Sequence, residues 1–437
     1  MNKKIGNLFK GDKGIWTVFL FLCLISIVEV FSASSTLTYK SQDYLGPLIY
    51  HCGTILMGLL VAIVTLNIQC RYFKLITPIM LIITYATLLW VLIFGESING
   101  ANRVIQLPGF TFQPSEIAKG TMVLATAQIL SAMQRDDDSG ADATSMKYIL
   151  WLTVPAVILI GLENLSTAIL LFGVIFTMMF LGRVPWKQIG QLTGVLAACV
   201  MLFLALVFGL GSMDKEAEQD LANARAGVKT EHVVEKKTKE DKSAFEKLTH
   251  RFGTWRNRLL MPGKPEDPHD YKITDKNFQV THANLAIASC GVIGKGPGNS
   301  VERDYLPQAF SDFIYAIIIE EIGIVGAILV VFLYVILLFR AGRIASRCEN
   351  NFPAFLVMGL ALLLVYQAVI NMCVAVDFGI VTGQPLPLVS KGGTSTIVNC
   401  AYIGAILSVS KSAKRITPAT KPTKPIEPTS PTKPIEA

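Results

Sequence analysis

A succession of apolar runs, most of them near the ~20 residues that cross a bilayer as a helix, leaves this chain few ways to fold. They lie near 15–33, 46–66, 76–95, 114–131, 149–182, 189–211, 312–339, 353–376 and 393–410. In lipid, a segment must satisfy its own backbone N–H and C=O groups, and runs like these can do so only as helices. The stretch 149–182 would reach ~50 Å as one helix, too long for a ~30 Å hydrocarbon core. Basic residues flank it on both sides, Arg135 and Lys147 before, Arg183 and Lys187 after. If both flanks are cytoplasmic, the stretch crosses twice, with a break near Gly161-Leu162-Glu163-Asn164. The expected fold is an all-α polytopic membrane protein of about ten transmembrane helices, with both termini cytoplasmic.

Composition agrees. Of 437 residues 52% are hydrophobic and 16% charged, where soluble chains carry about a quarter charged. Much of the net charge of +7 lies in short segments beside the spans, where the positive-inside rule puts it, and need not mean nucleic acid. The eight cysteines are scattered without a CxxC pair, which argues against a disulfide framework or a zinc site. The basic N-terminus and first apolar run resemble a signal peptide, and Ser32-Ala33-Ser34 imitates a cleavage site. We read instead an uncleaved first span.

Charge parity divides the chain into 1–211 with seven spans, an outside loop 212–311, three spans in 312–411, and a tail 412–437. The loop opens on a charged helix-forming stretch without a wide apolar stripe, which suits a solvated helix or mobile loop. Its segment 278–290 has apolar residues at helical spacing but is too short to span, so an interfacial or re-entrant helix is expected. The tail repeats PTKPIE, and so much proline excludes helix and core.

No GxGxxG, phosphate-binding lysine loop, HExxH or serine elbow occurs in a usable context, so neither an ATP-driven transporter nor a metalloprotease has support. The chemistry-bearing residues gather at membrane edges. Arg103, in an outside loop against the charge trend, suits an anion such as a phosphate. After Gln113, Pro114 suits a helix start and Glu116 its positive end. Glu116 and Lys119 can pair on one face, either as an internal ion pair or as substrate contacts. Asp312 stands where a loop meets an apolar run, with Ser311 or Asp312 as N-cap. A cap is worth about 1 kcal/mol and needs no further purpose; an acid–base role is the other reading. Glu320 and Glu321 lie further into that run, where ionisable groups are functional suspects. Gln367 and Asn371 suit helix–helix hydrogen bonds. The loop before the last span, with Ser390, Lys391, Gly392 and Gly393, offers backbone N–H groups and one cation to a phosphate.

Together these motifs resemble the SEDS family, the FtsW/RodA polymerases of bacterial peptidoglycan. NGANRVIQLPGFTFQPSEIAK, GKGPGNSVERDYLPQAFSDFIYAIIIEEIGIVG and QAVINMCVAVDFGIVTGQPLPLVSKGGTS match its three signature stretches, with wording closer to the FtsW division branch. The resemblance implies ten membrane helices with a large periplasmic loop before the eighth, in the bacterial cytoplasmic membrane. It implies glycosyltransfer from lipid II with release of undecaprenyl diphosphate, in septal cell-wall synthesis, beside a class B penicillin-binding transpeptidase and other division or elongation membrane proteins. The family's essential aspartate falls on Asp312, and its conserved arginine and QPSE-x-x-K charges on Arg103, Glu116 and Lys119. No cofactor is certain; a divalent cation, Mg or Mn, could assist the leaving diphosphate. The chain departs from the pattern at Val104, Asn164, Ser311 and Val381, so no role is carried over to 162–168. A lipid II flippase or a non-catalytic scaffold are the alternatives.

Overall fold

The computed structural model describes residues 10–34, 46–98, 101–107, 110–135, 140–202, 204–205, 278–306, 309–379 and 383–413. Most of 212–311 and nearly all of 412–437 lie beyond those residues. Each apolar run carries a helix: α1 (Lys13–Ala33), α2 (Gly46–Asn67), α3 (Cys70–Phe94), α4 (Pro114–Ala132), α5 (Thr144–Glu163), α6 (Leu165–Leu181), α7 (186–202), α9 (Ile314–Ala345), α10 (Asn351–Ala375) and α11 (Thr394–Ser412). The expected helix near 278–290 is α8 (Phe278–Ala288). Six of these helices (α1, α2, α3, α5, α9 and α10) are long and apolar enough to cross a membrane. α4 and α11 are less apolar because each turns polar side chains inward, among them Glu116, Lys119, Ser395 and Asn399.

α10 is the hub. It packs on α4, α6, α9 and α11, while α11 lies along α2. About 61% of its apolar window is buried, against 22% in α2 and in α3, which leave most of their surface for lipid.

The expected break in 149–182 falls at Asn164. Its backbone is extended, and its side-chain Oδ1 accepts from the N–H of Ser166 at 3.1 Å and of Thr167 at 3.4 Å. This cap restarts the chain as α6.

Three expectations need correction. The third helix begins at Cys70 rather than near 76. The helical fold also contains a small antiparallel sheet, β1 (Glu96–Ile98), β2 (Ala101–Leu107) and β3 (Phe110–Phe112), in the order β1-β2-β3. The run from 312 is not one regular helix either. Gly323 has φ 80° and ψ −171°, which interrupts α9. Freed by the break, the carbonyls of Glu320 and Glu321 accept from Lys295 N (3.0 Å) and Gly296 N (2.8 Å). Gly294 and Gly323 meet backbone to backbone: a Cβ on Gly294 would lie 2.4 Å from Glu321 O, and one on Gly323 would lie 2.5 Å from Gly294 N. Only residues without a side chain allow two backbones so close.

Candidate active site

Asp312 does not cap α9. The capping position is Phe313, without a side-chain cap, and the helix starts at Ile314. Asp312 lies instead in a turn, partly exposed, with Ser311 Oγ donating to its Oδ1 at 3.0 Å. Its main chain is tied down residue by residue. Phe310 O accepts from Lys391 N at 2.9 Å, Ser311 O from Ser390 Oγ at 2.6 Å, and Asp312 O from Asn371 Nδ2 at 2.8 Å. Three consecutive carbonyls are held by α10 and by the loop before α11, fixing where the Asp312 carboxylate stands.

That loop is itself anchored. Asn371 Nδ2 also donates to Gln384 O at 2.7 Å, and Gln367 Nε2 donates to Pro385 O at 2.9 Å. Gln384 Nε2 reaches Thr167 Oγ1 at the start of α6, 2.7 Å away. Ser390 Oγ accepts from Leu386 N at 2.7 Å. On another side, Ser26 of α1 donates to Val389 O at 2.6 Å and contacts His51 Nε2 of α2 at 2.8 Å. Since the Ser26 proton goes to Val389, the ring nitrogen facing Ser26 is the donor in that pair.

Beneath the loop lies a buried polar core. Lys119 is fully buried; its Nζ donates to Glu116 Oε1 at 2.9 Å and to Gln367 Oε1 at 2.7 Å. Glu116 Oε2 accepts from Ser395 Oγ at 3.1 Å, and Glu116 O from Tyr402 OH at 2.5 Å. Of the two readings of this pair, the geometry supports the internal ion pair: it joins α4, α10 and α11 and is closed to solvent. Gln113 Nε2 donates to Ser115 Oγ at 3.0 Å beside the start of α4.

Lys391 belongs to the loop that clamps the Asp312 turn, its backbone N–H bound to Phe310 O. Its Nζ lies 5.1 Å from the centre of the Phe310 ring, and partial burial pulls its pKa below the ordinary lysine value. Gly392 O accepts from Ser395 N at 3.0 Å, and Gly393 (φ 52°) leads into α11. Arg103 sits in β2, but its side chain lies outside the described residues.

Glu320 and Glu321 stand apart from Asp312 and clasp the 289–303 loop. Glu320 takes Lys295 Nζ at 2.6 Å, Val301 N at 3.1 Å and the Ser300 hydroxyl. Glu321 takes Gly298 N at 3.0 Å, Ser300 N at 3.3 Å and the Ser32 hydroxyl. Next to this clasp, His282 Nδ1 meets Glu302 Oε2 at 2.6 Å and its ring stacks on Tyr305 at 5.2 Å. A cavity of about 690 Å³ between Arg135, Arg183, Trp186 and Ile189 opens at the other end of the bundle and shares no residue with the Asp312 group. Among the described residues no group of three or more His, Cys, Asp or Glu side chains could hold a metal ion.

A family model described as cell cycle protein, covering FtsW, RodA and SpoVE, matches residues 12–213 and 249–415. This chain belongs to the FtsW/RodA/SpoVE family. The match spans every helix of the Asp312 group, from α1 to α11. Among relatives of this family, "Probable peptidoglycan glycosyltransferase FtsW" of Halomonas elongata is 27% identical over 89% of this chain and 88% of its own. "Peptidoglycan glycosyltransferase MrdB" of Escherichia coli K12 is 27% identical over 93% and 95%. The fold is that of RodA from Thermus thermophilus (TM-score 0.60, 22% identity, 94% of this chain and 99% of that one). It is also that of a chain in a peptidoglycan synthase complex that coordinates polymerization and crosslinking (TM-score 0.65, 23% identity, 92% and 98%). This chain is thus a multi-pass membrane protein of the FtsW/RodA/SpoVE family.

Sequence reasoning had singled out Asp312, Glu116, Lys119, Gln367, Asn371, Ser390 and Lys391. It missed Gln384, Thr167, Ser26 and His51. Polar residues inside α1 and α2 were a visible signal; their partner, a carbonyl more than three hundred residues downstream, was not.

Proposed function

We propose that this protein is a peptidoglycan glycosyltransferase that polymerises lipid II at the outer face of the bacterial cytoplasmic membrane. The single observation that carries the reading is the clamped turn at Asp312, which presents a carboxylate from a backbone pinned at three consecutive carbonyls. In this reading Asp312 is the general base. It takes the proton of the sugar C4 hydroxyl of one lipid-linked unit, which then attacks the anomeric carbon of the next and expels undecaprenyl diphosphate. A hydroxyl is a weak nucleophile and needs a base within hydrogen-bond reach. Lys391 and the N–H groups at Gly392, Gly393 and the start of α11 face the leaving diphosphate, with Arg103 as a second cation. Glu116, Lys119 and Gln367 position rather than touch substrate. A Mg or Mn ion would add charge neutralisation at the diphosphate.

The family and the glycosyltransferase relatives support the reaction class. The FtsW-like wording of the motifs supports a septal role, with both termini cytoplasmic and 212–311 periplasmic. The likeness to a chain of a synthase complex supports a class B penicillin-binding transpeptidase as partner, among other division or elongation membrane proteins.

The test is a gel assay of the purified protein with fluorescent lipid II, with and without that transpeptidase. Polymer from the wild type that is lost in a folded Asp312→Ala protein is the expected result. A folded Asp312→Asn protein that polymerises normally would remove the base. No polymer from a well-folded pair would favour a lipid II flippase or a scaffold.

A further inference from the structure

Glu29 lies within α1, one helical turn deeper than Ser32, and is fully buried. Neither of its carboxylate oxygens has a hydrogen-bond partner. An unmatched carboxylate inside a span is among the costliest groups a membrane protein can carry.

The charges around it are accounted for one by one. From α9, Glu321 accepts from the Ser32 hydroxyl, one turn along α1 from Glu29, and Glu320 precedes it on the same helix. The loop after α8 brings Lys295 and Arg303. Lys295 Nζ is spent on Glu320 at 2.6 Å. Arg303 Nη1 meets Ser32 Oγ at 2.7 Å and Glu321 Oε1 at 3.6 Å, and its Nε lies 3.7 Å from the half-exposed Asp304. From α2, His51 is bound to Ser26. Asp12 and Arg340 pair with each other at the far end of α1. Three buried glutamates therefore stand against two partly exposed cations, and the one without a partner is Glu29.

We propose that Glu29 and Glu321 hold a small monovalent cation, of the sodium class, between α1 and the break in α9. Protonation would equip only one of the two carboxylate oxygens and would leave the other without a hydrogen-bond partner. An ion satisfies both oxygens at once and supplies the missing charge. Interrupted membrane helices are a recurrent setting for such ions. A divalent ion would overshoot the count and asks for more oxygen ligands than two carboxylates and a hydroxyl provide. The ion would act as the counter-charge that lets Glu321 keep Arg303 and the 291–303 loop seated.

The experiment uses the full chain in lipid nanodiscs: binding of radioactive sodium, and thermal unfolding in sodium chloride against choline chloride at equal ionic strength. Expected are saturable binding of one sodium per chain and a higher unfolding temperature in sodium. Glu29→Gln should weaken binding by roughly tenfold or more and erase the sodium-specific stabilisation. If that variant does not fold, Glu29→Leu, which fills the site with apolar volume, serves instead. Absence of sodium-specific binding to the wild type overturns the proposal, as does undiminished binding to the folded variant. So does a wild-type stability that falls as pH rises equally in sodium and in choline, the signature of a bound proton alone.

Discussion

Asn371 ties α10 to the main chain of Asp312: its Nδ2 donates to the Asp312 carbonyl at 2.8 Å, and the same amide holds Gln384 O at 2.7 Å. One side chain therefore sets the spacing between the candidate base and the loop facing it. Asn371→Ala strips a donor from both carbonyls, and each buried group left unsatisfied costs about 1–3 kcal/mol. The expected outcome is a lower unfolding temperature together with a fall in kcat, since displacing a catalytic group by about 1 Å can cost ~100-fold. KM should change little. Asn371→Asp replaces the donor by an acceptor facing two carbonyls and should be worse than alanine. Steady-state polymerisation of fluorescent lipid II measures both.

Lys119→Met leaves Glu116 buried without its cation. Breaking a buried pair from one side costs about 3–5 kcal/mol, so a large drop in thermal stability is expected. Glu116→Gln in the same chain should restore most of it. A double variant no more stable than the single one would show that the pair does not hold α4 against α10.

Gly294→Ala and Gly323→Ala each introduce a Cβ 2.4–2.5 Å from opposing backbone at a positive φ, a strain of about 1–3 kcal/mol or more. Because the two sites push apart the same contact, the double variant should be little less stable than either single one, a failure of additivity that a double-mutant cycle reads directly. Proteolysis within 289–303 should rise in all three.

Lys391 gives a pH signature. Burial lowers its pKa from the usual lysine value, so its positive charge is lost at a lower pH than that of a free lysine. Polymerisation should then fall on an alkaline limb that begins below the ordinary lysine range. Lys391→Arg keeps its charge throughout and should move that limb to higher pH. An unmoved limb in an active arginine variant would separate Lys391 from the reaction.

The helices were legible because run length and hydropathy settle them, and the break at Asn164 followed from a stretch too long to be one span between two basic flanks. Family wording picked out Asp312, while its physics was misjudged: the sequence suggests a helix cap, and the structure gives a turn pinned from outside. The break at Gly323 was hidden because the run around it is uniformly apolar. What permits it is a second glycine, Gly294, and a loop whose N–H groups replace the lost helical donors. Glu320 and Glu321 drew attention as intramembrane acids, but whether they serve chemistry or structure depended on Lys295, Ser300 and Ser32. Glu29 raised the same signal inside the first run and passed unnoticed, because its neighbour Glu321 is almost three hundred residues away.

The clasp on α9 also has an order in time. Every group that holds the side chains of Glu320 and Glu321 (Ser32, Ser289, Lys295, Gly298, Ser300, Val301 and Arg303) precedes them in the chain. In synthesis from the N-terminus, α9 enters the bilayer with all partners for its two acids already made. The Asp312 turn, by contrast, waits for Asn371, Ser390 and Lys391, which emerge later. A nascent chain that stops after α9 can seat the 289–303 loop but cannot fix the Asp312 turn, so the proposed base is set in place only when the protein is nearly finished.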